Sequence, residues 1–296
     1  MPTGVSPRRG IAVTSSNAGE TAVGFFAYGG QTNSAIIAFG SLGLKAPIFL
    51  GGPFVDVPQS LAFSGSTLLG LESTSTDIEI ASNSSFGQSW TITQKVSEAL
   101  GQIDASSLGF DARNQSNGVA LLSPAAYKDG LKGVFLSNDS GASWNSLNGL
   151  STSGLSNITS TYIPVGFGSR KYEFAVSGLG SKGYETYIYT PGQISSPTTS
   201  LNPPALGSDP QGDIAVVSNI LGQIPTISWF HPGSAKFTAP VKMAGVQGAV
   251  ETISFKNSDS GVAISSQNGN LIGYSTSDGG LSWNRSGALA SLPTGG

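Results

Sequence analysis

The sequence predicts an all-β fold assembled from six repeated, four-stranded antiparallel units. Three observations carry that expectation. An eight-residue motif recurs along the chain. Short runs rich in Val, Ile, Leu, Phe and Tyr alternate with turns rich in Gly, Asn, Ser and Pro, which is the pattern of strands joined by tight connections. Charged residues are only 10% of the chain, against a typical ~25%, and Gly reaches 41 residues.

The motif reads Ser137-Asn138-Asp139-Ser140-Gly141-Ala142-Ser143-Trp144 and returns as Thr276-Ser277-Asp278-Gly279-Gly280-Leu281-Ser282-Trp283. A worn copy keeps Gly87 and Trp90 within Asn83-Ser84-Ser85-Phe86-Gly87-Gln88-Ser89-Trp90. The spacing suits a hairpin turn. An Asp side chain accepts hydrogen bonds from N–H groups one or two residues on, and a Gly three residues before the Trp supplies positive φ without a Cβ penalty. The Trp then opens the returning strand and offers a large face for burial. Asp139 and Asp278 are thus expected to clamp turns rather than to act as acids or metal ligands.

The units follow in order, spanning 10–50, 60–95, 106–147, 161–200, 208–240 and 250–292, as one domain over 1–296. We label the four strands of each unit A to D. The last unit is clearest, with strands at 251–255, 262–266 and 271–275 and a fourth from Trp283. The third repeats it, with strands at 107–111, 118–123 and 133–137. Both place a Phe near the end of strand A (Phe110, Phe255) and open strand B with Gly-Val-Ala at Gly118 and Gly261. Unit one is read at 10–14, 21–28, 34–39 and 46–50, and unit two at 60–63, 67–72, 77–81 and 90–93. Unit four is read at 161–167, 172–177, 185–189 and from Ile194. Unit five is read at 213–218, 225–230 and 235–238, its first strand hidden in the Pro-rich run 201–212. Seven units would need about 42 residues each, and the spacing between the second and third does not fit. No amphipathic helix stands out beyond one turn at 96–100.

The pattern S/T-x-D-x-G-x-x-W on this repeat resembles the Asp-box (BNR) repeat of sialidase-type β-propellers. That resemblance implies a six-bladed β-propeller of four-stranded blades, with a terminal segment closing the ring. It puts the boxes at the C–D turns, opposite the active site, and makes Asp139, Gly141, Trp144, Asp278, Gly280, Trp283, Gly87 and Trp90 structural. A sialidase site of this type uses three arginines to clamp a carboxylate, a Tyr paired with a Glu, and an Asp. The chain has five arginines, and an R-I-P signature is missing at Pro7-Arg8-Arg9-Gly10. Arg113 and Arg170 fall in A–B turns and Arg285 follows a box, on the wrong side for a clamp. Sialidase activity is therefore not expected.

Composition excludes further classes. There is no cysteine, so disulfides, thiolate metal sites and cysteine nucleophiles are out. His231 is the single histidine, which rules out a histidine zinc cluster, and no G-x-S-x-G elbow accompanies it. No metal and no cofactor are expected, a loop Ca²⁺ held by oxygens remaining open. Net charge is −3 from 14 basic and 17 acidic residues, without a basic patch, so nucleic acid is not an expected partner. No apolar run reaches the ~20 residues of a membrane span. Five N-x-S/T sequons, at Asn83, Asn114, Asn138, Asn157 and Asn284, and a Ser/Thr/Asn-rich surface fit an extracellular or cell-surface protein whose signal peptide has been removed.

Candidate functional residues are expected on the B–C and D–A loops. Acids there are Asp56, Glu98, Asp104, Asp129 and Asp209, scattered singly rather than paired for hydrolysis. Tyr127-Lys128-Asp129 is read in a nine-residue B–C loop, and Lys182-Gly183-Tyr184 in another; aromatic faces there could stack on a sugar or a peptide. Trp229 is read as core or inter-blade and His231 as a turn residue. The expected function is a monomeric binding or structural module without catalysis, its ligand a glycan or surface protein. An Asp-box glycoside hydrolase using loop carboxylates is the alternative. A third class, propellers that help assemble photosynthetic complexes, would call for charged docking patches that the sequence lacks.

Overall fold

The computed structural model describes four strands within 12–50 and most of 60–291; residues 66, 74–76, 85–89, 98–106, 112–113, 128–129, 152–154, 156, 165, 168–169 and 221 lie outside the described set. The described elements are strands and turns, with no helix among them. The chain divides into two compact units. One comprises 1–110, 115–123 and 133–146, the other 111–114, 124–132 and 147–296.

Consecutive strands pair antiparallel into sheets. In the first unit, β1 (Ala12–Ser15), β2 (Thr21–Phe25), β3 (Ala35–Phe39) and β4 (Ile48–Leu50) form one sheet in sequence order. β5 (Ser60–Ser64), β6 (Thr67–Ser73), β7 (Asp77–Ser84) and β8 (Thr91–Ser97) form the next. The third sheet, shared with the second unit, contains β9 (Ser107–Phe110), β10 (Gly118–Tyr127), β11 (Gly130–Ser137) and β12 (Asn145–Ser146).

The second unit carries the rest. β13 (Asn157–Tyr162), β14 (Phe174–Gly180), β15 (Gly183–Thr190) and β16 (Gln193–Ile194) form a sheet in which β17 (Thr198–Ser200) also pairs with β15. β18 (Ala205–Ser208), β19 (Ile214–Ser218), β20 (Thr226–Phe230) and β21 (Val241–Lys242) follow. β22 (Ala249–Phe255), β23 (Gly261–Gln267), β24 (Asn270–Thr276) and β25 (Asn284–Ser291) complete the series.

These segments are strands because branched and aromatic residues alternate across the pleat, and within each unit buried residues of neighbouring sheets meet. In β22 the buried residues are Val250, Ile253 and Phe255, a bulge between Val250 and Thr252 absorbing the break in period two. They join Val217, Ile227, Tyr274 and Trp283 in one core cluster spanning the last two sheets. Ile214, Val216 and Phe230 pack likewise on Ala175 and Ile188. In the first unit, Leu69, Leu71 and Ile80 meet Phe110, Leu122 and Trp144. An aromatic such as Trp283, 4% exposed, contributes roughly 5 kcal/mol from buried area before entropy is charged.

The Phe and Gly-Val-Ala matches have one physical cause. Gly118 pairs with Phe110 and Gly261 with Phe255, and in each case the Phe ring lies where a Cβ on the Gly would be. The ring thus folds over its own neighbouring strand and meets Trp144 or Trp283 in an edge-to-face pair, with centroids 5.8 and 6.0 Å apart.

The recurrent turns lie between the third and fourth strands of their sheets, as expected, and their hydrogen bonding corrects the sequence reading. Asp139 Oδ1 accepts from the Ser143 N–H, four residues on, at 2.9 Å, and Asp278 Oδ1 from Ser282 N–H at 2.9 Å. The inner N–H groups go to the hydroxyl two residues earlier. Ser137 Oγ accepts from Gly141 N–H at 2.8 Å and donates to Asp139 Oδ1 at 2.8 Å, and Thr276 Oγ1 does the same for Gly280 and Asp278. The Trp144 and Trp283 indoles donate to the carbonyls of Gly141 and Gly280 at 3.1 and 2.9 Å. Gly141 and Gly280 hold φ of +84° and +92°, and the residue before each is also left-handed. These bonds stabilise the ionised carboxylate: the Ser143 hydroxyl foremost holds Asp139 below its usual range, and the Ser282 hydroxyl helps hold Asp278 at about 2. Trp90 precedes β8, half-buried, whereas Gly87 lies outside the described residues.

Strand occupies parts of two runs read as irregular. β10 and β11 leave only 128–129 between them, so Tyr127 ends a strand rather than sitting in a nine-residue loop. The run 201–212 contains β18, the missing first strand of its sheet. The fourth strand of that sheet falls at 241–242, not 235–238.

Candidate functional site

Two places in the second unit bring polar side chains together. The first is an open groove of about 920 Å³ at the B–C and D–A ends of the last two sheets. The D–A connections supply Asn202, Pro203 and Pro204 before β18 and Val246, Gln247 and Gly248 before β22; the B–C connections supply 219–220, 222–224 and Asn268, with Gln267 at the end of β23.

Hydrogen bonds fix its walls. The buried Asn219 amide forms a two-way clamp on Val250, donating to its carbonyl and accepting from its N–H, each at 2.9 Å. Asn202 Nδ2 donates to the Asn219 carbonyl at 2.9 Å. The Gln247 carbonyl accepts from Ser265 Oγ at 2.7 Å, and Gln267 Nε2 donates to Gln247 Oε1 at 2.9 Å. Gly248 has φ +81°, and a Cβ there would collide with the Ser266 carbonyl, so this glycine lets the loop lie flat on β23. Glu251 accepts a short hydrogen bond from Ser266 Oγ. It is the only charged side chain among the described residues of the lining, which contains no aromatic ring. Such a surface can orient a neutral or cationic ligand through hydrogen bonds; it lacks a second acid for acid–base work.

The second place is the junction of A–B turns. Glu173, fully buried ahead of β14, pairs with Arg170, whose Nε donates to the Phe167 carbonyl at 2.9 Å. Burial pushes Glu173 up to about 8 against the pull of Arg170, and Asp213 adds to the rise. Asp209, buried between β18 and β19, accepts from the Gln211 and Asp213 N–H groups at 2.9 Å each, while its Oδ2 meets no hydrogen-bond donor. Burial also raises its pKa. Asp213 in turn contacts His231 Nδ1 at 2.8 Å. These turns are closely interlocked: a Cβ on Gly212 would strike the Gly166 carbonyl. Among the described residues no group of three or more His, Asp or Glu side chains is placed to hold a metal.

The sequence-based candidates separate. Asp209 belongs to this A–B junction rather than to a D–A loop, because β18 ends at Ser208. Lys182 is exposed in the B–C turn before β15 and Tyr184 lies on β15 beside it, pairing with Leu179 and Ser200. Asp56, Glu98, Asp104, Lys128 and Asp129 lie outside the described residues, and of Tyr127 only its place at the end of β10 is described. Arg170 occupies an A–B turn as expected. Trp229 packs on Phe255 with centroids 4.5 Å apart, an inter-sheet contact, and His231 follows β20 in a turn, exposed. Nothing in the sequence marked Asn219, Gln247, Glu251 or Gln267, because carboxamides in turns form no motif.

The chain matches no protein-family model and no curated protein. Solved structures do match. YCF48 bound to D1 peptide aligns over 94% of this chain and 82% of that one, at 15% identity and a TM-score of 0.58. The β-propeller domain of the trilobed protease from Pyrococcus furiosus aligns over 89% and 81%, at 10% identity and TM-score 0.59. The GH74 enzyme of Niastella koreensis aligns over 95% of this chain and 60% of that one, at 12% identity and TM-score 0.55. The fold of this chain is that of a β-propeller. Among the described residues no helix is long and apolar enough to cross a membrane.

Proposed function

We propose that this chain is a six-bladed, Asp-box-type propeller that binds its ligand non-catalytically in the groove between the B–C and D–A ends of its last two blades. The single observation that carries the reading is the groove's lining, in which Glu251 is the sole carboxylate among the described residues. Glycoside hydrolysis of the two-acid kind needs a partner acid about 5 to 9 Å away. A ligand is instead held by fixed amides and small apolar surfaces on a rigid frame, which is the chemistry of recognition. The likeness to YCF48 with its bound D1 peptide supports a peptide or protein as ligand. We place the protein outside the cell or at its surface, as a monomer, on its low charge and its exposed sequons at Asn114, Asn138 and Asn284.

The test is product release from sialyllactose, xyloglucan and aryl glycosides, set beside binding of the same glycans and of peptides. We expect no turnover, and saturable binding weakened by Ile224→Lys, which places a positive charge on an exposed apolar position of the groove. Turnover lost in Glu251→Gln, or in variants of Asp56, Asp104 or Asp129, would replace the binding reading with hydrolysis.

A further inference from the structure

Resting on that reading, we infer that the groove takes an extended peptide, read along its backbone by the Gln247–Gln267 pair and carrying a Lys or Arg that meets Glu251. Gln247 and Gln267 use one hydrogen bond to hold each other, Gln267 Nε2 donating to Gln247 Oε1 at 2.9 Å. That leaves the Gln247 amide N–H₂ as donor and Gln267 Oε1 as acceptor, neither with a partner among the described residues. Exchanging O and N in both groups leaves the same couple. In an extended strand the N–H and C=O of one residue point to the same side, so this couple is complementary to a single residue of extended backbone, as in strand addition to a sheet edge.

The charge pattern supplies the second half. Glu251 is exposed at the start of β22, is fixed by Ser266 Oγ, and has no cationic neighbour in the described lining. A cationic side chain satisfies it and an acidic one is repelled. The apolar surface here is aliphatic: Pro203 and Ile224 are exposed and no ring is available. Sugar faces are commonly held by aromatic stacking, whereas aliphatic side chains pack on aliphatic surface without it. A peptide therefore fits the lining better than a glycan.

A library of acetylated, amidated hexapeptides with one scanned position (Lys, norleucine or Glu) tests this by fluorescence anisotropy, with neutral oligosaccharides as a parallel arm. Lys peptides should bind about fivefold tighter than norleucine peptides, in the range of an exposed ion pair, and the preference should shrink with added salt. Glu251→Gln should erase that preference while leaving norleucine peptides unchanged. Gln247→Ala should weaken every peptide alike. All these positions are at least partly exposed, and unchanged melting curves will show that the variants fold. Equal binding of Lys, norleucine and Glu peptides overturns the cationic assignment. Oligosaccharide binding sensitive to Gln247→Ala, with no peptide binding, overturns the peptide while sparing the groove. Failure of both arms removes the groove reading itself.

Discussion

Gly261 lies directly beneath the ring of Phe255, its antiparallel partner, and the same ring meets the edge of Trp283. The pairing couples a strand-B glycine to a strand-A aromatic and both to the recurrent turn. A methyl at Gly261 must push the ring off its place. We expect Gly261→Ala to destabilise the fold by about 1–3 kcal/mol, and Gly118→Ala, over Phe110, by a similar amount. Urea unfolding measures both. No change in either midpoint would show that the ring moves freely.

In the recurrent turn the hydroxyl matters more than the sequence suggested. Ser137 is buried and accepts the buried Gly141 N–H, whereas Asp139 is exposed and water can replace part of what it does. Ser137→Ala should cost about 1–3 kcal/mol through a donor left unpaired, and Asp139→Ala about 1 kcal/mol. Trp144→Ala should cost about 3–5 kcal/mol. A larger loss for Asp139→Ala than for Ser137→Ala in urea unfolding would reverse this ranking.

Stability should be highest in mild acid. Glu173 is raised from 4.5 to about 8 by burial, so its contribution is complete below pH 4.5 and fades as pH rises towards 8. Asp278 is lowered from 3.8 to about 2 by the hydrogen bonds it accepts, so its contribution is present above pH 3.8 and is lost as pH falls through 2. Asp139 moves in the same direction as Asp278 and Asp209 in the same direction as Glu173. The melting temperature should therefore peak near pH 4 and decline towards pH 8. Glu173→Gln should flatten that decline. A melting temperature that climbs from pH 5 to 8 would contradict a Glu173 whose burial outweighs its pairing with Arg170.

Exposure divides the sequons. Asn138 and Asn284 are exposed at the C–D end of their sheets, Asn114 is exposed in an A–B turn, and Asn83 is buried in β7. In a glycosylating host, peptide mass spectrometry should find the first three occupied and Asn83 bare. Folded protein carrying a glycan on Asn83 would be inconsistent with this packing.

The fold was legible wherever a repeated physical need left a repeated residue. Phe110 with Gly118, Phe255 with Gly261, and the two full turn motifs each mark one steric or hydrogen-bonding requirement, and they set the strand order of two sheets. β18 was not legible, because Asn202, Pro203 and Pro204 immediately before it and Asp209-Pro210 after it disguise a four-residue strand. Pro124 disguised the end of β10. It stands beyond Leu121, the last residue of β10 paired with β9, where a strand tolerates a missing N–H. The groove was least legible. Asn219 reaches Val250, 31 positions away, and only the packing of one sheet on the next brings such turn residues together.

The most direct test of the account is hydrogen-exchange mass spectrometry with and without a saturating Lys hexapeptide from the library. Protection is expected over 219–220, 222–224, 247–251 and 266–268, with Lys182, Tyr184 and the turns at Asp139 and Asp278 unchanged. Protection confined to the 182–184 turn or to the Asp139 and Asp278 turns, with the groove segments unchanged, would contradict it.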